Sequence, residues 1–279
     1  MGHLRWACQP PLDAPVVIAA FEGWNDAGDA ATTAAGWLRD RWAPDALADI
    51  DPEEFFDFTS TRPRVRRTDG ETREIVWPAN AFTFGTAAGI SAVVLLGTEP
   101  QLRWRTFCAQ VVAVAEAIDA RLVLTLGALL AEVPHSRSTS VMGTAVDQDL
   151  MDRLDLTRST YEGPTGIVGV LQDACTRAGL PAASLWAAVP AYVPGAPSPK
   201  AALALVERTA DLLAVPVIAT DLEIAAAAYE RQVSEVVSED EEMTEYVRRL
   251  EESFDSDEAV PSGSLAEEVE RFLRDRPSE

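Results

Sequence analysis

Positive charge is scarce in this sequence. Lys200 is its one lysine, and arginine supplies the other 22 bases against 45 acids, for a net charge of −22 at pH 7. A nucleic-acid-binding domain needs the reverse balance, so nucleic acid is excluded as a partner. Histidine is almost missing, at His3 and His135 only. The three cysteines, Cys8, Cys108 and Cys175, are odd in number and far apart. They offer neither a disulfide framework nor a zinc site, and they suit a reducing compartment. No metal site is readable, and no motif calls for a cofactor. No apolar run approaches the ~18 residues of a membrane-spanning helix; the best are residues 16–21 and 92–96. Residues 1–15 lack the apolar stretch of a secretory leader, so the expected location is the cytoplasm. Gly-x-Ser-x-Gly, a Walker loop and a Ser-His-Asp spacing are also missing, which leaves no complete catalytic set.

What is present is an ordinary globular composition over 279 residues, 47% apolar and 24% charged. It suits one large α/β domain with a smaller appendage. Residues 16–21 read as a buried strand, and a polar turn follows at residues 24–28. Ala27, Ala30, Ala31, Ala34, Leu38 and Trp42 then recur at helical spacing. A helix face made of alanine can sit close to a sheet. Residues 51–58 read as a second strand. An arginine-rich hairpin spans about residues 62–77 and turns at Asp69-Gly70. Strands at 92–96, 122–126 and 184–189 alternate with helices whose inner positions include Phe107, Val111 and Val114, then residues 167–178 and 201–213. Residues 127–144 read as a long polar loop, 146–154 as a short helix, 192–199 as a rigid loop and 215–218 as a short strand. The alternation predicts a three-layer α/β/α core with a mostly parallel sheet over residues 1–220.

Residues 221–279 differ. Nineteen acids face six arginines there. Val233, Val236 and Val237, then Met243, Tyr246, Val247, Leu250 and Phe254, mark amphipathic helices. A linker is expected at 253–264, and Leu265, Val269, Phe272 and Leu273 mark a last helix. This is an acidic helical extension.

Open parallel sheets bind ligands beyond the carboxyl ends of their strands. Loops 22–26, 98–101, 127–144 and 190–200 should gather there. The candidate cleft residues are Glu22, Trp24, Asn25, Asp26, Glu99, His135, Glu162, Thr165 and Tyr192, with Glu132, Arg137 and Lys200 nearby. Several have a plainer reading. Asn25 or Asp26 can cap the alanine-rich helix. Glu22 can be solvated or paired with hairpin arginines. Glu99 can be a loop-to-helix polar residue or a base. His135 can be a general base or a surface or interface residue. Gly163-Pro164-Thr165-Gly166 opens a helix and can hold an anion on free N–H groups, or its glycines can simply permit close packing. Trp24, Trp104 and Tyr192 can stack a ring. The hairpin carries Arg62, Arg64, Arg66, Arg67 and Arg73, which suit carboxylates on the acidic extension or on a neighbouring subunit.

Read together, Phe21-Glu22-Gly23-Trp24-Asn25-Asp26-Ala27-Gly28 resembles the opening motif of the proteasome assembly chaperone 2 family, in its actinobacterial branch. So do residues 51–58 with Arg62-Pro63, Gly97-Thr98-Glu99-Pro100 before Trp104, and Gly127-Ala128-Leu129-Leu130 leading to Val133-Pro134-His135. The longest match is Tyr161-Glu162-Gly163-Pro164-Thr165-Gly166 continuing to Leu171. Residues 184–190 and 197–201 complete a resemblance over about residues 16–275. Two departures stand out: Ala191 where the pattern has histidine, and Ser136-Arg137-Ser138 where it has Thr-Arg-Pro. The resemblance implies a fold like that of the nucleoside phosphorylases, with a helical C-terminal extension, and homo-oligomers with protein-binding roles. It implies no agreed activity.

The first functional expectation is therefore an oligomeric interaction or assembly-chaperone-like protein, a trimer by analogy with the fold, with an unidentified protein partner. No residue is assigned as catalytic. The alternative is a small-molecule protein or enzyme that takes a nucleoside- or phosphate-type ligand in the strand-end cleft.

Overall fold

The computed structural model describes residues 2–68 and 72–257. In chain order it contains β1 (Leu4–Trp6), β2 (Val16–Glu22), α1 (Ala30–Trp42), β3 (Asp45–Ile50), β4 (Arg64–Thr68), β5 (Thr72–Val76), β6 (Asn80–Ala87), β7 (Ile90–Thr98), α2 (Trp104–Ala117) and β8 (Leu122–Ala131). Then come β9 (Val141–Ala145), α3 (Gln148–Leu154), α4 (Ile167–Arg177), β10 (Ala182–Pro190), α5 (Pro199–Leu213), α6 (Thr220–Ser238) and α7 (Glu241–Asp257). One eight-stranded sheet runs in the order β1-β3-β6-β7-β2-β8-β10-β9, and β4 pairs with β5 apart from it. The centre, β7-β2-β8-β10, is parallel. Antiparallel strands extend it at both edges.

Strand β2 shows why three layers form. Val16, Ile18 and Ala20 point to one face, into a cluster with Ala30, Ala31, Ala34 and Leu38 of α1 and Ala202 and Leu205 of α5. Val17, Ala19 and Phe21 point to the other, into a cluster with Phe107 and Val111 of α2 and Ile167 and Leu171 of α4. A strand buried on both faces reads as a continuous apolar run rather than an alternating one. On the α2/α4 face Phe21, Phe107 and Phe55 meet edge to face, with centroids 5.9 and 5.5 Å apart. Each such fully buried side chain contributes about 1.5–3 kcal/mol.

Residues 51–58 are not a strand. Asp51 accepts a hydrogen bond from the Glu53 N–H at 3.1 Å, and the Phe55 N–H returns to the Pro52 carbonyl at 3.0 Å. With Pro52 lacking an N–H, the segment closes into a 3₁₀ turn. The strand lies just before it, at β3, whose alanines and aspartates carry little strand propensity and are held by pairing with β1 and β6. Nor are residues 127–144 one loop. β8 continues to Ala131 because Ala128, Leu129 and Ala131 are buried, and β9 adds to the edge of β10. Residues 215–218 pair with no strand, and Ile218 is 85% exposed. The hairpin forms, but its Asp69-Gly70 turn lies outside the described residues. So does the expected last helix at Leu265–Leu273. α7 runs to Asp257, through the start of the expected linker. Among the described residues no helix is long and apolar enough to cross a membrane.

Two glycines give opposite expectations. A Cβ on Gly85 would overlap the Trp42 carbonyl oxygen and press on Ala43, where the end of α1 crosses β6. Gly85→Ala should therefore destabilise by about 1–3 kcal/mol. Gly36 lies within α1, and a Cβ there would meet only Leu96 Cδ2, at an ordinary 3.9 Å. Gly36→Ala should stabilise by about 0.5–1 kcal/mol through helix propensity. Thermal melts of the two variants, which should move in opposite directions, test both.

Candidate functional site

The loop after β2 carries two adjacent polar residues that serve helices on opposite faces of the sheet. Asp26 turns to α1. Its Oδ1 accepts the N–H groups of Ala31 at 2.7 Å and Thr32 at 3.1 Å, and its Oδ2 accepts the Thr32 hydroxyl. Asn25 turns to α4, where its Oδ1 accepts the Val168 N–H at 3.4 Å. Glu99, just past β7, accepts the Ile167 N–H at 2.8 Å and the Trp24 N–H at 3.3 Å. Two N–H groups at the start of α4, those of Ile167 and Val168, are thus taken by the chain's own side chains. Gly166 is glycine because a Cβ there would collide with the Asn25 amide. Helix capping, one of the two readings of Asn25 and Asp26, holds for both residues, and the close-packing reading holds for Gly166.

Beside these caps opens a cavity of about 490 Å³ at the carboxyl ends of β2, β8 and β10. Trp24, Asn25, Asp26 and Thr165 line it, joined by Tyr161, Arg158, Trp186, Thr144 and Met142. Sequence reading missed Trp186 and Thr144 because strand residues read as core. The register places Trp186 opposite Gly127, where a Cβ would come within 2.5 Å of the indole. That Gly-Trp pairing is the signal, and it requires knowing which strands are neighbours.

Five expected members are not on this cavity. Glu22 is exposed, and the Thr98 hydroxyl donates to it at 3.4 Å; it meets no hairpin arginine. Glu99 is spent on capping. Glu162 is exposed in the loop before α4. Trp104 also lies elsewhere, with its indole N–H donating to the Pro100 carbonyl. His135 and Tyr192 form a second centre beneath α6. The Tyr192 hydroxyl accepts the His135 backbone N–H at 2.8 Å and lies 2.7 Å from Nδ1, while Nε2 lies 2.9 Å from Ser234 Oγ. Ser234 Oγ donates to the Glu230 carbonyl. With Ser234 Oγ donating to Glu230, Nε2–H donates to Ser234, and in the neutral imidazole Tyr192 donates to Nδ1. Lys200 donates to the His135 carbonyl and to Glu230, both at 2.6 Å. Burial pushes the imidazole below its usual range, Lys200 adds to the shift, and Glu230 and Glu251 oppose it. Burial likewise raises the Tyr192 hydroxyl. Arg137 grips Asp255 of α7 through two bonds of 2.7 and 2.9 Å and holds that carboxyl below the ordinary range. His135 is therefore buried as a clasp for the C-terminal helices. Among the described residues no group of three or more His, Cys, Asp or Glu side chains is placed to hold a metal ion.

Two pH dependences follow. Burial raises the Asp26 carboxyl from 3.8 to about 6, against the bonds from Thr32 and Ala31 that lower it. The folded state binds this proton more tightly, so the contribution is full below 3.8 and is lost as pH rises through about 6. It is on the order of 3 kcal/mol. Asp26→Asn keeps the cap without the charge. Its stability relative to wild type should rise by that order between pH 4 and 7; a constant difference would refute the assignment. The neutral His135 works the other way. Its stabilisation is present above about 6.5 and is lost as pH falls below that value. Tyr192→Phe removes the donor to Nδ1 and the acceptor for the His135 N–H, so amide exchange in α6 should quicken, with a cost of about 1–3 kcal/mol.

The model of the PAC2 family matches residues 20–237. The chain is similar to a PAC2 family protein from Streptomyces avermitilis at 44% identity, over 84% of this chain and 99% of that one, with a TM-score of 0.77. It is similar to a proteasome-assembly chaperone homologue from Mycobacterium tuberculosis at 46% identity, over 83% and 99%, with a TM-score of 0.75. A protein of unknown function from Mycobacterium tuberculosis shares 26% identity over 98% and 95%, with a TM-score of 0.85. No curated protein matches at a significant level. The family model spans the strand-end caps, the cavity and most of α6, and on that match the chain belongs to the PAC2 family.

Proposed function

We propose that this protein is an assembly-chaperone-like interaction protein that works in the cytoplasm as a homo-oligomer, with a trimer as the expected state. The observation that carries this reading is the hairpin of β4 and β5. A two-stranded ribbon standing alone is marginal in water and needs cover. Val65 lies opposite Ile75, and Arg67 lies opposite Arg73. Alternation puts all four on one face. Val65 and Ile75 are each 57% exposed. Two arginines directly opposed repel each other, so an anionic partner would stabilise this face. Arg66 is on the other face, bonded to Glu74 at 3.1 Å.

An acidic, partly apolar surface would cover that face, and the chain carries one. On α6 and α7, Val236 is 61% exposed near Glu235 and Glu239, and Glu241, Glu242 and Glu245 follow. Within one chain, α7 is instead held by Arg137. A second copy is the occupant this charge pattern favours. The division into a core of residues 1–220 and an acidic extension of 221–279 belongs to the same proposal. The relative described as a proteasome-assembly chaperone homologue supports a proteasome component as the client. A second reading, a small molecule held in the strand-end cleft, is favoured by the cavity of about 490 Å³.

Light scattering tests the oligomer. Reversing Arg67 and Arg73 to glutamate should lower the solution mass from oligomer to protomer, and Arg66→Glu should do so far less. An unchanged mass in the double variant would overturn the hairpin as the interface.

A further inference from the structure

The cavity is built around side chains that the surrounding backbone makes room for. Trp186 occupies the space a Cβ on Gly127 would take, Tyr161 that of Gly163, Asn25 that of Gly166, and Thr165 that of Gly169. Four lining side chains thus lie where a larger residue in the neighbouring segment would displace them. Trp24 adds an indole that is 42% exposed. Aromatic faces suit a planar ring, and about 490 Å³ is within the range of small-ligand sites.

The polar groups set the ring's chemistry. Asn25 is 4% exposed, and its amide oxygen is committed to the Val168 N–H, which fixes which end of the amide is which. Its Nδ2 has no partner among the described residues, so it presents donors only. Thr144 is 5% exposed, and its hydroxyl likewise has no partner among the described residues. The charges argue against a phosphate. Arg158 lines the cavity together with both Asp26 and Asp29, and the Ile167 and Val168 N–H groups at the start of α4 are already bonded.

We propose that the cleft binds an uncharged 6-oxopurine, as base or nucleoside, stacked against Trp24 and Trp186 with its acceptor edge toward Asn25 Nδ2. An oxygen at position 6 beside a ring nitrogen is a pair of acceptors, whereas adenine places an amino donor at position 6. This inference rests on the small-molecule reading and is independent of the hairpin.

Calorimetric titration with inosine, hypoxanthine, adenosine, ribose 5-phosphate and inorganic phosphate tests it, with thermal shift as a second readout. Inosine or hypoxanthine should bind about tenfold or more tightly than adenosine. Inosine against hypoxanthine tells whether the sugar is held. Asn25→Asp retains an oxygen for the Val168 N–H but turns the ligand-facing group into an acceptor. It should reverse the preference toward adenosine, and it should lower the melting temperature of the free protein because the new carboxylate is buried beside Asp26. Trp24→Ala, at an exposed side chain, should weaken binding about tenfold and serves as the check if Asn25→Asp does not fold. Adenosine binding as well as inosine would overturn the proposal. A response to ribose 5-phosphate or phosphate alone would overturn it while leaving a small-molecule cleft in place. Silence across all five compounds would overturn both.

Discussion

The open N-terminus of α4 is the constraint on which the strand-end region depends. A helix begins with N–H groups that have no partner inside it. Here Glu99 and Asn25 supply the acceptors, and each comes from the end of a different central strand. One residue on, Asp26 does the same for α1 on the opposite face. A single turn after β2 thereby ties both helical layers to the sheet, and the Ala128 N–H fixes that turn through the Asn25 carbonyl at 2.8 Å. The cavity is what remains between the two caps. The same arrangement sets the Glu99 carboxylate at the positive end of the α4 dipole.

The C-terminal helices depend on a second centre. Tyr229, Val233 and Val237 of α6 and Val247 of α7 form a small cluster with Tyr192, Val193 and Ala196 of the preceding loop. So small a core cannot by itself hold 36 helical residues of strongly acidic sequence. His135, Lys200 and Arg137 supply the rest by bonding to Ser234, Glu230, Glu251 and Asp255. The single lysine of the chain lies at the middle of this clasp. Its ammonium reaches both a carbonyl and a carboxylate, and it is largely shielded from water.

These two centres divide the labour of one end of the molecule. The cavity presents aromatic faces and amide donors in a nearly neutral setting, whereas the acidic arm and the arginine hairpin present opposite charges to the outside. In a chain of net charge −22, self-repulsion between copies is large unless arginines are concentrated where contact occurs. The hairpin is where arginines are concentrated, with like charges opposed across its ladder.

The central fold was legible in the sequence wherever burial is total. Residues 16–21 and 92–96, the alanine face of α1 and the inner positions of α2 announce themselves because each must be apolar in a fixed period. β3 and β6 were not legible, since pairing with neighbours overrides their weak local preference. The short apolar run at 215–218 misled for the converse reason: it finds no strand to pair with. That loops 22–26 and 98–101 follow the carboxyl ends of central strands was legible, because strand direction follows from the alternation of strands and helices. The grouping of the candidate residues was not, because adjacent side chains on a turn point to opposite faces. By itself the sequence determined the layered core, the arginine hairpin and the acidic character of residues 221–279, all of which rest on composition and period. Only the tertiary structure decided that Asn25 and Glu99 cap α4, that His135 leaves the cleft to hold α6, and that Trp186 joins it over Gly127. Those outcomes depend on distances between segments up to 143 residues apart, which no local pattern encodes.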